Sequence, residues 1–372
     1  MNIKKIFQNL YKIFVFLIFK LIYGKVENII SAKNNKKIYI KKVYFKNSTY
    51  YNSYIIPDGR LYTDTIHNTS FILNHSLIKE PSFQYRYKKK LQIINGKISE
   101  NFAIKNGTPN LIKKINGNVF SLITGGAGKN NYWHWIFDVL PRIGILEKSN
   151  FKIKPNYYLL PAIFRKYQKE TFEALKIPSY KLIDGNKYKH IICDNLIAVD
   201  HPINFKNSPT KSILNIPTWL ITWLRKKYIK KKYTNKNLPK RIFINREFDS
   251  NLVARKIVNN QEVENLLINL GFKSISLSDL NFVDQIKLFK NANFIVGLHG
   301  AGFANMVFSN KRTKILEIAS INNGNVLLSL AKKCKLNYKR IIGINISKKL
   351  KFQNSHVLVD INKLKKLILT FR

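Results

Sequence analysis

The side chains best able to do chemistry fall in three places. In NYWHWIFDVLPR, Asn131 to Arg142, His134 and Asp138 are four residues apart, a spacing that on a helix puts both on one face and in reach of each other. A carboxylate that orients and polarises an imidazole makes a general base for a hydroxyl proton; the same pair could also do no more than brace its helix. Trp133 and Trp135 flank the histidine, with faces that either stack a sugar ring or fill a core. Farther on, Arg246 ends RIFINR and Arg255 follows in FDSNLVARK. Guanidinium forks match phosphate oxygens two at a time and stay charged at any working pH. The third place is FIVGLHGAGFANMVF, Phe294 to Phe308, where His299-Gly300-Ala301-Gly302 follows a buried strand. Glycines there let backbone N–H groups approach a ligand, the next helix turns its positive end to phosphate, and His299 could donate to a phosphate or a hydroxyl. By itself such a loop is also a tight strand-to-helix turn with a capping histidine. One strand later Glu317, near the end of KILEI, is placed to accept both hydroxyls of a ribose, or to serve as an ion pair or cap.

These residues need a frame. From Ile38 to Asn118 the sequence runs in short β-prone stretches broken by Asn, Gly and Pro, a β-rich start to a first domain. From Val119 onward strands and helices alternate: VFSLITGG with its glycine turn Gly125-Gly126, a helix over Trp133 to Glu147, NYYLLP, a helix over Phe164 to Lys176, then YKLID and NLIAVD. Pro217 opens a helix ending in RKKYIKKKYTNKNLPK, which is either a linker or a solvated charge run. Beyond it the alternation is regular, with strands RIFINR, FKSISL, NFIVGL, KILEIAS and YKRIIGI separated by helices over Gln261 to Leu270, Phe282 to Asn291, Phe303 to Phe308 and Val326 to Lys335. That pattern predicts a parallel, doubly wound sheet, in which ligands bind beyond the carboxyl ends of the strands. We expect an amphipathic helix over residues 1–24, an α/β domain over 36–215 and a Rossmann-like domain over 216–372. No G-x-G-x-x-G follows the first strand of either half, which disfavours a dinucleotide dehydrogenase.

The 372 residues carry 65 Lys plus Arg against 20 Asp plus Glu, a net charge of +45. Such a field attracts phosphates, anionic lipid or nucleic acid. Lys, Asn and Ile are over-used even in patternless loops, however, so biased codon usage explains much of the excess. No base-reading motif or Arg-interleaved aromatic run accompanies it, and nucleic acid is not the expected partner. Cys193 and Cys334 lie far apart, without metal-ligand spacing. No D-x-D, H-E-x-x-H or His/Cys cluster offers to hold a divalent metal, so no metal or other cofactor is expected. At 100° per residue Lys4, Lys5, Gln8, Asn9, Lys12 and Lys20 share one arc of the N-terminal helix, interrupted by Phe16, with most Ile, Leu and Phe opposite. This suits the cytoplasmic face of an anionic bilayer, against packing on the protein's own core or a short tilted span.

Three blocks in order, NYWHWIFDVLPR, RIFINR with Arg255, and FVDQIKLFKNANFIVGLHGAGFANMVF followed by KILEI, resemble glycosyltransferase family 61, the group with the DUF563 domain. The resemblance spans about Gly125 to Ile318. It implies two Rossmann-like domains facing a cleft (the GT-B architecture), inversion at the anomeric carbon and no essential metal. It also implies an acceptor side holding His134 and Asp138 and a donor side holding Arg246, Arg255, His299, Gly300 and Asn305. The expected enzyme moves a sugar from a nucleotide sugar to a hydroxyl of a surface or capsular glycan, free or lipid-linked, at the inner membrane face of a bacterium. Its rivals are a catalytically inactive polysaccharide-assembly partner and, less favoured, a basic nucleic-acid-binding protein.

Overall fold

The computed structural model describes residues 3–46, 50–63, 69–82, 85–88, 92–95, 99, 101–123, 128–203, 214–233, 237–246, 255–346 and 355–371. Gly125 and Gly126 lie outside them. The chain divides into two compact units, Met1–Ile213 and Leu214–Arg372. The Lys-rich stretch after Arg225 therefore falls inside the second unit and does not link the two.

In the second unit five parallel strands run in the order Lys273–Ser276, Arg241–Asn245, Phe294–Leu298, Lys314–Ala319, Asn337–Ile342. The central strand FIVGL is buried at every position, as its unbroken apolar run requires of a strand covered on both faces. On one face Phe243, Val296, Leu316, Ile318 and Ile341 meet Val263 and Leu267 of the helix Asn260–Asn269 and Leu364 and Ile368 of the helix Ile361–Leu369. The sheet is all-parallel, as the alternation predicts. Its sequence order, second-first-third-fourth-fifth, reverses direction between Arg241–Asn245 and Phe294–Leu298. In parallel sheets of this order ligands bind outside the carboxyl ends of the two strands beside the reversal.

The first unit differs from the Rossmann-like expectation. Strands His190–Val199, Lys113–Ser121, Tyr157–Leu160 and Leu182–Asp184 are mutually parallel in that order. However, Tyr50–Pro57 and Arg60–Thr63 pair antiparallel to His190–Val199 and extend the sheet with the hairpin-rich segment before residue 80. The result is a mixed ten-stranded sheet. The short β-prone runs before residue 80 thus add strands to the same sheet as the later αβ units, whereas Tyr85–Lys88 and Gln92–Asn95 pair with each other as a separate hairpin.

The N-terminal helix spans Ile3–Tyr23 and stops at Gly24, whose φ of +70° suits a residue without Cβ. Its contacts explain why Phe16 interrupts the polar arc. Val15, Phe16, Phe19 and Tyr23 form the half-buried face; Phe16 packs on Phe102 at 5.8 Å between ring centroids, and the Tyr23 hydroxyl accepts the Ile112 N–H at 3.0 Å. The wide apolar arc, with Phe7, Leu10, Phe14, Leu17 and Leu21, is exposed.

Candidate active site

In the first unit the site begins with a broken helix. Asn131 caps it, its Oδ1 accepting the N–H groups of Trp133 at 3.0 Å and His134 at 3.4 Å. One α-turn, Tyr132–His134, passes into a π-turn over Trp135–Val139, in which Leu140 N–H reaches back five residues to Trp135 O at 3.1 Å. Pro141 supplies the cause. It has no N–H to give the carbonyl four residues back and its ring would collide with that carbonyl, so the turn widens before α-geometry resumes at Pro141–Ser149.

On this turn His134 Nδ1 stands 2.7 Å from Asp138 Oδ2, the contact that the four-residue spacing predicts. The histidine side chain is 26% exposed and the aspartate 3%. Burial pushes the Asp138 carboxyl up, but the charge and hydrogen bond of His134, with His201 and Arg142 nearby, outweigh it and hold the group below its ordinary value. Asp138 therefore faces His134 as a carboxylate, and His134 Nε2 is the ring nitrogen left to face outward. Arg142, one turn on, donates from Nε to Asp138 O at 3.2 Å. Trp133 and Trp135 offer no stacking platform: both are buried, Trp133 against Phe137 at 4.6 Å and Trp135 donating to Thr171 Oγ1 at 3.0 Å.

In the second unit Arg246 and His299 leave the two strands that flank the sheet's reversal. Arg246 Nη1 donates to His299 O at 3.4 Å. The loop beneath is close: a Cβ on Gly300 would stand 2.7 Å from Arg246 Nη1, and one on Gly302 2.9 Å from Leu277 Cδ1. Ala301 begins the 3₁₀ helix Ala301–Phe308, whose leading N–H groups have no acceptor within the helix. Arg225, from the helix Thr218–Tyr228, closes the far end by donating to Val307 O and Ser309 O, both at 2.7 Å.

Arg255 Nε and Nη1 are buried with no hydrogen-bond partner among the described residues. Burial first, then the nearby charge of Arg246, pull this guanidinium down to about 10, with Glu317 acting in the opposite sense. A buried guanidinium with unused donors, beside a second cation, suits an anion. Among the described residues no group of three or more His, Cys, Asp or Glu side chains gathers to hold a metal.

Two donor-side expectations are corrected. Glu317 is not open to a ribose: it is fully buried, with Oε1 taken by His299 Nδ1 and Oε2 by the Tyr338 hydroxyl and by Arg340 Nε, the last at 2.8 Å. Burial raises its pKa, and these donors, His299 foremost, bring it below the ordinary value. Glu317 thus positions His299, fixing which ring nitrogen faces the loop. Asn305 is also buried and donates from Nδ2 to Gln285 Oε1 at 2.8 Å, bracing the 3₁₀ helix from within. Sequence reasoning missed Tyr338 and Arg340, whose signal was polar residues two apart on a strand beside Glu317. It also missed His201, which no local pattern marks.

The second unit is a parallel α/β sheet with Arg246, Arg255 and His299 near the carboxyl ends of its strands, and the first carries a histidine–carboxylate pair. Residues 132–316 match the family model described as Glycosyltransferase 61. The match takes in every candidate residue from His134 to Asn305, stops one short of Glu317, and supports assignment of the chain to the glycosyltransferases. No curated protein matches the chain.

Proposed function

We propose that the protein is an inverting, metal-independent glycosyltransferase, which moves a sugar from a nucleoside diphosphate to a hydroxyl of a surface glycan. The observation that carries this reading is the neighbouring pair Arg255 and Arg246: Arg255 has Nε and Nη1 buried without a hydrogen-bond partner among the described residues, and Arg246 follows a strand beside the sheet's reversal. There they meet a diphosphate, together with the leading N–H groups of Ala301–Phe308, and offset the charge of the leaving group without a metal. His299 Nε2, set by Glu317, adds a contact to phosphate or sugar.

The first unit is the acceptor side. As the acceptor oxygen bonds to the anomeric carbon, its proton passes to His134 Nε2, Asp138 steadies the imidazolium, and the bond from carbon to phosphate oxygen breaks to release the nucleoside diphosphate. The exposed apolar arc of Ile3–Tyr23 lies on the inner membrane face; its 18-residue window Ile6–Tyr23 has a mean hydropathy of 1.5 with none of it buried.

Arg246→Ala and His299→Ala should each abolish donor hydrolysis and transfer while circular dichroism stays native, and wild-type turnover should survive EDTA. Near-normal turnover in either variant would overturn the donor assignment; loss with EDTA would overturn the metal-free chemistry.

A further inference from the structure

A groove of about 870 Å³ in the first unit takes no part in the transfer chemistry above. It lies where the sheet ends, over the edge strand Leu182–Asp184. Its floor is the fringe of the unit's core: Ile115, Tyr157, Ile183 and Tyr188 pack against the buried cluster that holds Val119 and Leu159, yet stay half-buried. Apolar and aromatic surface is therefore left open to solvent in a concave site whose volume suits a ligand of a few rings.

The rim is cationic. Lys114, Lys169 and Lys187 line the groove and Asp184 is the acid among its lining residues, with Oδ1 already accepting the Asn186 N–H at 2.9 Å. Lys113 stands 4.4 Å from the Tyr188 ring centroid. Tyr180, 75% exposed, adds a third tyrosine at the edge.

We propose that this groove binds a segment of acidic glycan, holding the acceptor chain through carboxylate-bearing sugars away from its reacting end. The proposal rests on the reading of the acceptor as a glycan. Tyrosine rings present flat apolar faces to the C–H faces of pyranoses while their hydroxyls stay wet, and the lysines meet carboxylates along the chain. Each exposed ion pair contributes little, so the groove selects by several weak contacts spaced over successive sugars. Single-stranded nucleic acid also uses aromatics and cations, but no arginine, the side chain best shaped for phosphate, lines the groove.

The test titrates the full-length protein with a galacturonic acid hexamer, with maltohexaose and a short oligothymidylate as comparators. The acidic hexamer should bind at least tenfold more tightly than either. Tyr180→Ala and the double variant Lys169→Ala with Lys187→Ala, all exposed positions, should each weaken it at least tenfold and leave donor hydrolysis unchanged. No hexamer binding, equal binding of maltohexaose, tighter binding of oligothymidylate, or unchanged affinity in the variants would each overturn the groove assignment. Donor hydrolysis persisting through such a failure leaves the transferase reading intact. Hexamer binding by a protein that turns over no donor sinks the transferase reading alone.

Discussion

Arg255 is held in a conformation that the ligand-free protein does not reward. Two of its nitrogens are buried without partners among the described residues, and the charge of Arg246 works against it. On the proposed reading a bound diphosphate would satisfy both at once. Arg255→Gln should therefore raise the Tm of the free protein, by a few degrees, and abolish the thermal stabilisation that millimolar pyrophosphate gives the wild type; a variant less stable than wild type yet still stabilised by pyrophosphate would contradict the anion-site reading. His134 is tested differently, because a general base contributes about 100- to 10,000-fold to rate. His134→Ala should lower kcat by that order with donor KM unchanged, measured at saturating acceptor. A change confined to KM would point to binding instead.

Between the residues and the fold stand two short elements with identifiable causes. Pro141 forces the π-turn that carries His134 and Asp138, and Arg225 holds the 3₁₀ helix behind the His299 loop by two hydrogen bonds to its final carbonyls. Hydrogen bonds from a charged donor contribute about 1.5–3 kcal/mol each, reduced here because the guanidinium is only partly buried. Arg225→Ala should cost roughly 2–3 kcal/mol in urea unfolding and loosen Ala301–Phe308, so donor KM rises while the second unit stays folded. Unchanged stability would show that the loop is fixed by Asn305 and Phe303 alone.

For the whole molecule, acid is the sensitive variable. His190 is 1% exposed, and burial first, with Arg60 nearby, lowers it from 6.5 to about 4, against the upward pull of its hydrogen bond to Asn110 O. Burial also lowers His201 to about 3. A histidine whose folded pKa is depressed stays neutral in the native state while the unfolded chain takes up a proton. Stability is then full above about 6.5 and declines as pH falls toward 4, by on the order of 2 kcal/mol for His190. The Tm should drop over that window and drop less in His190→Gln; an equal drop would assign the loss to other groups. The N-terminal helix gives the other global prediction. Its exposed arc should bind the wild type to vesicles containing phosphatidylglycerol, and Phe14→Asp with Leu17→Asp should release it, judged by flotation. Retention of that variant would place the membrane contact elsewhere.

Much of the second unit and the local geometry of its site followed from sequence alone. Unbroken apolar runs mark buried parallel strands, helices of about ten residues between them dictate the crossovers, and a four-residue spacing brings His134 to Asp138 whether or not the turn is a regular α-helix. The first unit's sheet was less legible, because antiparallel pairing joins segments more than a hundred residues apart and no local period encodes it. The fate of Glu317 was hidden for the same reason. Its place on the strand was readable, but its partners come from the loop before it and the strand after it, and only their convergence on one buried carboxylate turned an expected ribose ligand into the support of His299. Likewise sequence made Arg255 one cation among 65, and tertiary burial beside Arg246 singled it out, since desolvation and like charge act through space.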